Sequence, residues 1–182
     1  MLNILKMKNL IYLFVGIITI LLIQACTDKR GKNYNSSALA DTSRVSFIDN
    51  ALAGGLTEIK ASGLVITKSS NQRVLSLAKM MIEDHSKAVE ELKKIASDKQ
   101  VNVKDTIDGQ HQQMISDLSK KSGIAFNKTY LQMMVADHEQ AVKLFTNATQ
   151  NADLDIKNFA TKILPTIQMH LDSANAILTA LK

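Results

Sequence analysis

From Thr42 to the C-terminus, apolar residues recur at three- and four-residue steps, the spacing of helices that bury one face. A first helix is expected from a cap at Thr42 or Ser43, with Phe47, Ile48, Ala51, Ile59, Val65 and Ile66 inward. Gly54, Gly55 and Gly63 interrupt it and imply close helix packing or a local kink. Ser69-Ser70-Asn71 breaks the pattern, and Asn71 is a candidate cap for a second helix running to about Lys99. Its stripe is Val74, Ala78, Met81, Ile82, Val89, Leu92 and Ala96. Residues 101–123 read as a connector with one short helix, 108–121. A third long helix spans 124–150, with Leu131, Met134, Val135, Ala141, Val142 and Phe145 inward. After a tight turn at Asn151-Ala152-Asp153, a fourth spans 153–181 and is expected to kink at Pro165, which lacks an N–H. Two tight turns and one longer link predict an all-α, up-down-up-down four-helix bundle with a short connector helix between the second and third long helices.

Composition agrees. One Pro, no Trp, 4% aromatic residues and few β-branched runs leave good helix formers in the majority. With 46% hydrophobic and 21% charged residues the chain is globular, and 182 residues suffice for one ordinary domain. The formal charge is +5, and no basic stripe with interleaved aromatics accompanies it, which argues against nucleic acid as a partner.

The N-terminus reads as an address. Lys6 and Lys8 precede an apolar run from Leu10 to Ile23, too short to span a bilayer but suited to a signal peptide. The run ends at Ile23-Gln24-Ala25-Cys26, which resembles a bacterial lipobox apart from Gln24, where a small residue is usual. Cys26 is the sole cysteine, so no disulfide forms within the chain. The resemblance implies removal of residues 1–25, lipid on Cys26 and insertion of the acyl chains into a membrane. Removing Lys6 and Lys8 leaves 20 basic against 17 acidic residues, or +3. The segment 26–42 then reads as lipidated Cys and flexible tether, 43–182 as the folded domain. The expected location is the cell envelope, facing the periplasm, at the outer membrane rather than the inner.

MMIEDHSKAVEEL (80–92) and MMVADHEQAVKLF (133–145) form an internal repeat with a period of 53 residues. Each repeat carries a histidine inside an apolar seam. Seven-residue steps from His85 meet Ala78 and Leu92; from His138, Leu131 and Phe145; from His170, Ile163 and Ile177. Glu58 is flanked in the same way by Ala51 and Val65. Each long helix therefore places one ionisable residue in its seam, and with both tight turns at one end the four would form a loose layer. Imidazole and carboxylate suit one ion of zinc, copper, nickel or iron. Asp84 and Asp137 point about 100° away and suit outer hydrogen bonds to the ligands, or pairing between helices, better than direct ligation. Met81 and Met134 lie one turn before their histidines, where a thioether would favour copper(I). The competing reading is a buried hydrogen-bonded layer that sets register without metal. His111, between Gln110 and Gln112, reads as exposed and uninvolved.

Phe47, Glu58, LAKMMIEDH (77–85), Phe126 with Tyr130, His138 and FATKILPTIQMH (159–170) resemble the ferritin-like bacterial family called domain of unknown function 4142, over about residues 43–181. The resemblance implies a ferritin-like bundle and an exported location, and it supplies no activity. Di-iron chemistry is not expected, because di-iron bundles use Glu-x-x-His, and Ile82, Val135 and Ile167 stand three before the histidines. No Ser-His-Asp order, phosphate loop or Cys nucleophile is present, so the reading leans away from an enzyme. It leaves a metal- or small-ligand-binding envelope lipoprotein and, as the alternative, a structural or interaction module.

Overall fold

The computed structural model describes residues 30–104 and 106–181. Residues 1–25, expected as a signal peptide, Cys26 and residues 27–29 lie outside them. Among the described residues five helices follow in order: α1 (Arg30–Lys68), α2 (Gln72–Asp98), α3 (Gly109–Ser119), α4 (Gly123–Ala148) and α5 (Leu154–Ala180). The fold is all-α, with no strand among the described residues. Residues 30–42, expected as tether, are helical in backbone, since α1 begins at Arg30. Ala40–Lys182 forms one compact unit. No described helix is long and apolar enough to cross a membrane.

Capping fixes the helix starts. Asn71 Oδ1 accepts from the backbone N–H of Arg73 (3.0 Å) and Val74 (3.3 Å), as its sequence position implies. Asp108 caps α3 and Asp153 caps α5 in the same way. Gln100 ends α2 with φ +57°, and the Val101 N–H bonds the Ala96 carbonyl at 2.8 Å, which closes a Schellman motif. α5 runs through Pro165 without a break.

Helix directions differ from expectation in one respect. Val65 and Val74, beside the first tight turn, share an apolar cluster with Phe126, Tyr130 and Ala174. Ala148 and Ile156, beside the second, share another with Phe47, Leu92 and Ala96. The two tight turns therefore sit at opposite ends. Arg44 (2.9 Å) and Lys99 (3.0 Å) both pair with Asp153, joining the N-terminal half of α1, the end of α2 and the start of α5. At the other end Lys68 meets the Ser119 carbonyl and lies over the Phe126 ring. α2 and α4 consequently run parallel, and the order is up-down-down-up rather than up-down-up-down. The physical reason is the link 99–122, which is long enough to travel the length of the bundle, with Leu118 of α3 packed into the first cluster. One long crossover is the connectivity of ferritin-like bundles.

Most expected inward positions are buried, but Ile66 is 40% exposed, because neighbouring Val65 takes the inward direction. Gly55 explains part of the glycine usage in α1: a Cβ there would stand 3.0 Å from Val89 Cγ2 of α2, whereas nothing approaches Gly54. Helix α1 is thus pressed onto α2 at Gly55. Gly54→Ala should stabilise the fold by about 0.5–1 kcal/mol through helix propensity. Gly55→Leu should destabilise it by about 1–3 kcal/mol through overpacking. Urea denaturation of both variants checks the pair, and equal effects at the two glycines would contradict the close approach.

Candidate metal centre

Glu58 and His170 lie 10 residues from the helix ends Lys68 and Ala180; His85 and His138 lie 13 and 15 residues from Gln72 and Gly123. All four ends lie at one pole, so the four side chains meet at about 15–23 Å from it. They fall between the two apolar clusters on every long helix, and the polar layer divides the core in two. His138 and His170 are fully buried, and Glu58 is 4% exposed.

The imidazoles form a near-equilateral triangle, with ring centroids 5.1, 5.4 and 5.5 Å apart. Two of the three have partners on their outer side. His138 Nδ1 lies 2.9 Å from the Met134 carbonyl, which can only accept, so this nitrogen carries the proton. His170 Nε2 lies 3.1 Å from Asp84 Oδ2 and donates to it. The atoms left facing each other, His138 Nε2 and His170 Nδ1, are bare lone pairs 3.4 Å apart. His85 Nε2 is buried with no hydrogen bond, although Glu58 Oε2 lies 3.1 Å away. The histidines bring ring nitrogens within 4.8 Å of one another, as a metal ion requires.

The remaining expected residues divide. Asp84 takes the outer position anticipated for it. Asp137, its counterpart in the repeat, instead lines a cavity of about 320 Å³ beside Glu58 and His85, and its Oδ2 is buried without a hydrogen-bond partner. Glu58 Oε1 lies 3.2 Å from His138 Nδ1, on the side of the ring away from His170, so it falls outside the converging set. Met81 and Met134 are buried in the apolar cluster, and Met134 meets His138 through its carbonyl. His111 is not free: its Nδ1 lies 2.9 Å from Asp108 Oδ2, and both line the same cavity. The only signal for this was Asp108 three residues earlier, at a helix start.

Burial sets the charges. It presses the His85 pKa down to about 3, with His138 and His170 adding repulsion, and the His138 pKa to about 4. His170 is also lowered by burial, with Asp84 opposing. Glu58 is pushed well above the carboxylate range by burial and then by Asp137, which itself rises to about 6 through burial. The apo layer therefore holds neutral imidazoles, and it can act as a metal site or as a buried polar network.

The family described as domain of unknown function (DUF4142) matches residues 30–177. The chain belongs to this family. Among solved structures, it is similar to the crystal structure of a DUF305 fragment from Deinococcus radiodurans, at 16% identity and a TM-score of 0.69. That match covers 76% of this chain and 97% of the fragment, and it concerns the fold alone. No curated protein matches the DUF4142 chain.

Neutral burial has a pH consequence. Unfolded histidines protonate below about 6.5, whereas folded His85 and His138 resist down to about 3 and about 4. Their contribution to stability is full above 6.5 and shrinks as pH falls through that window. Asp137 and Glu58 oppose this: folded Asp137 keeps its proton up to about 6, while the unfolded side chain loses it near 3.8. Three imidazoles outweigh two carboxyls, so in chelator the melting temperature should fall from pH 7 to 4.5, more steeply in Asp137→Asn. A melting temperature that holds or rises on acidification would contradict buried neutral imidazoles.

Proposed function

We propose that this chain is a metal-binding lipoprotein of the cell envelope that holds one transition-metal ion on His85, His138 and His170. The 3.4 Å separation of two bare imidazole nitrogens carries the reading. Two lone pairs at that distance repel unless a cation lies between them. For a metal–nitrogen bond of about 2.1 Å, ligands stand about 3.4 Å apart at the tetrahedral angle and about 3.0 Å apart at a right angle. The spacing supports a tetrahedral ion, zinc or copper(I), ahead of octahedral nickel or iron. Glu58 stands 3.2 Å from His138 Nδ1 and 3.1 Å from His85 Nε2, where an outer carboxylate would orient metal-bound histidines. The absence of Glu-x-x-His from the sequence argues against a di-iron centre.

The envelope location rests on the sequence alone: the basic n-region, the apolar run to Ile23 and the lone Cys26. Lipid on Cys26 would tether the domain, with the membrane as its partner. A nucleic-acid role has no support in the charge pattern. The three histidines would leave the fourth position of a tetrahedral ion open to water or a small ligand, and the reading stays with binding.

Elemental analysis of the full chain, purified without a His-tag, tests the proposal. The expected result is about one transition metal per chain, lost in His138→Ala and in His170→Ala. Glu58→Gln should keep the stoichiometry and weaken affinity by about 10–100-fold. Circular dichroism of each variant in chelator separates lost metal from lost fold. A folded wild-type chain that ignores added zinc, copper, nickel and iron would reduce the layer to a polar network.

A further inference from the structure

The cavity beside the layer has its own chemistry. Its volume is about 320 Å³, roughly twice that of a cavity of about 150 Å³ that holds benzene. An aromatic ring with a short chain fits that space. Val89, Leu92, Leu144, Phe145, Phe159 and Ile163 form an apolar wall drawn from α2, α4 and α5. The opposite corner is polar and acidic: Glu58, Asp137 and Asp108, with His85 and His111. No Lys or Arg lines it. Asn50, Asp108 and Gln140 are exposed and mark the rim.

Within that corner the carboxylates are not equivalent. Asp108 caps α3 through the His111 N–H (2.9 Å), and its other oxygen stands 2.9 Å from His111 Nδ1, a buried nitrogen that makes no hydrogen bond. Asp137 Oδ2 is buried and accepts nothing. His85 Nε2, on the adjoining wall, is also buried without a hydrogen bond. Buried acceptors left unpaired are costly, and a charged donor recovers the most when it reaches them. Asp108 and Asp137, with no compensating Lys or Arg, favour a cationic group and repel a carboxylate.

We propose that this cavity binds a compact molecule with an aromatic-sized apolar body and one primary ammonium group, whose N–H donors meet Asp137 Oδ2. The body lies along Val89, Leu144 and Phe159, and the head turns toward α3. His138 and His170 do not line the cavity, so the site stands without a bound metal.

The test is calorimetric titration of the full chain in chelator with three probes of similar size: 2-phenylethylamine, 2-phenylethanol and phenylacetate. The amine should bind saturably, about tenfold more tightly than the alcohol, and phenylacetate should not bind measurably. Asp137→Asn should bring the amine to the level of the alcohol. Ala141→Phe, which fills the cavity, should abolish both, with circular dichroism confirming its fold. Magnetisation transfer from the probe ring to Phe145 and Phe159 locates the complex. Equal binding of amine and alcohol, preference for phenylacetate, or no saturable binding of any probe would overturn the proposal. None of these outcomes depends on metal content, which elemental analysis reads separately.

Discussion

Four ionisable side chains share one cross-section of the bundle, away from water, and each ring nitrogen and carboxylate oxygen there needs a partner that the protein must supply. Everything around the layer follows from that requirement. The Met134 carbonyl and Asp84 settle the tautomers of His138 and His170 from outside. Their unprotonated nitrogens then converge by default. The apolar clusters above and below exclude solvent and keep the imidazoles neutral, the state in which they coordinate metals.

The seam arithmetic that picked out Glu58, His85, His138 and His170 required only a helical period, which the apolar spacing supplies. Asn71 was legible as a cap because its chemistry is local. Direction was not legible. Whether residues 99–122 turn back or run the length of the bundle depends on which end of α4 packs against Val65 and Val74, a tertiary matter. The layer survived that error because each residue lies 10–15 positions from a helix end at the same pole. His111 and Asp137 were misread for a related reason. The repeat makes Asp84 and Asp137 look alike, yet α5 presents His170 to one of them, while the other lines a cavity closed partly by the connector.

The histidine layer and the cavity are neighbours with different demands. His85 and Glu58 belong to both, and the crossover helix α3 brings Asp108 and His111 to the outer side only. A bundle with a tight hairpin connection in place of the crossover would have no such wall. Asp137 faces this second compartment, and its raised pKa reflects the dryness of that corner.

Long-range proton–nitrogen correlation spectroscopy of the metal-free chain, labelled with ¹⁵N at histidine, reads the central claim directly. The account predicts a proton on Nδ1 of His138 and on Nε2 of His170, with the facing nitrogens bare and shifting when zinc is added. A proton on His138 Nε2, donated to His170 Nδ1, would contradict it, because the two rings would then satisfy each other and leave no lone pair for a metal.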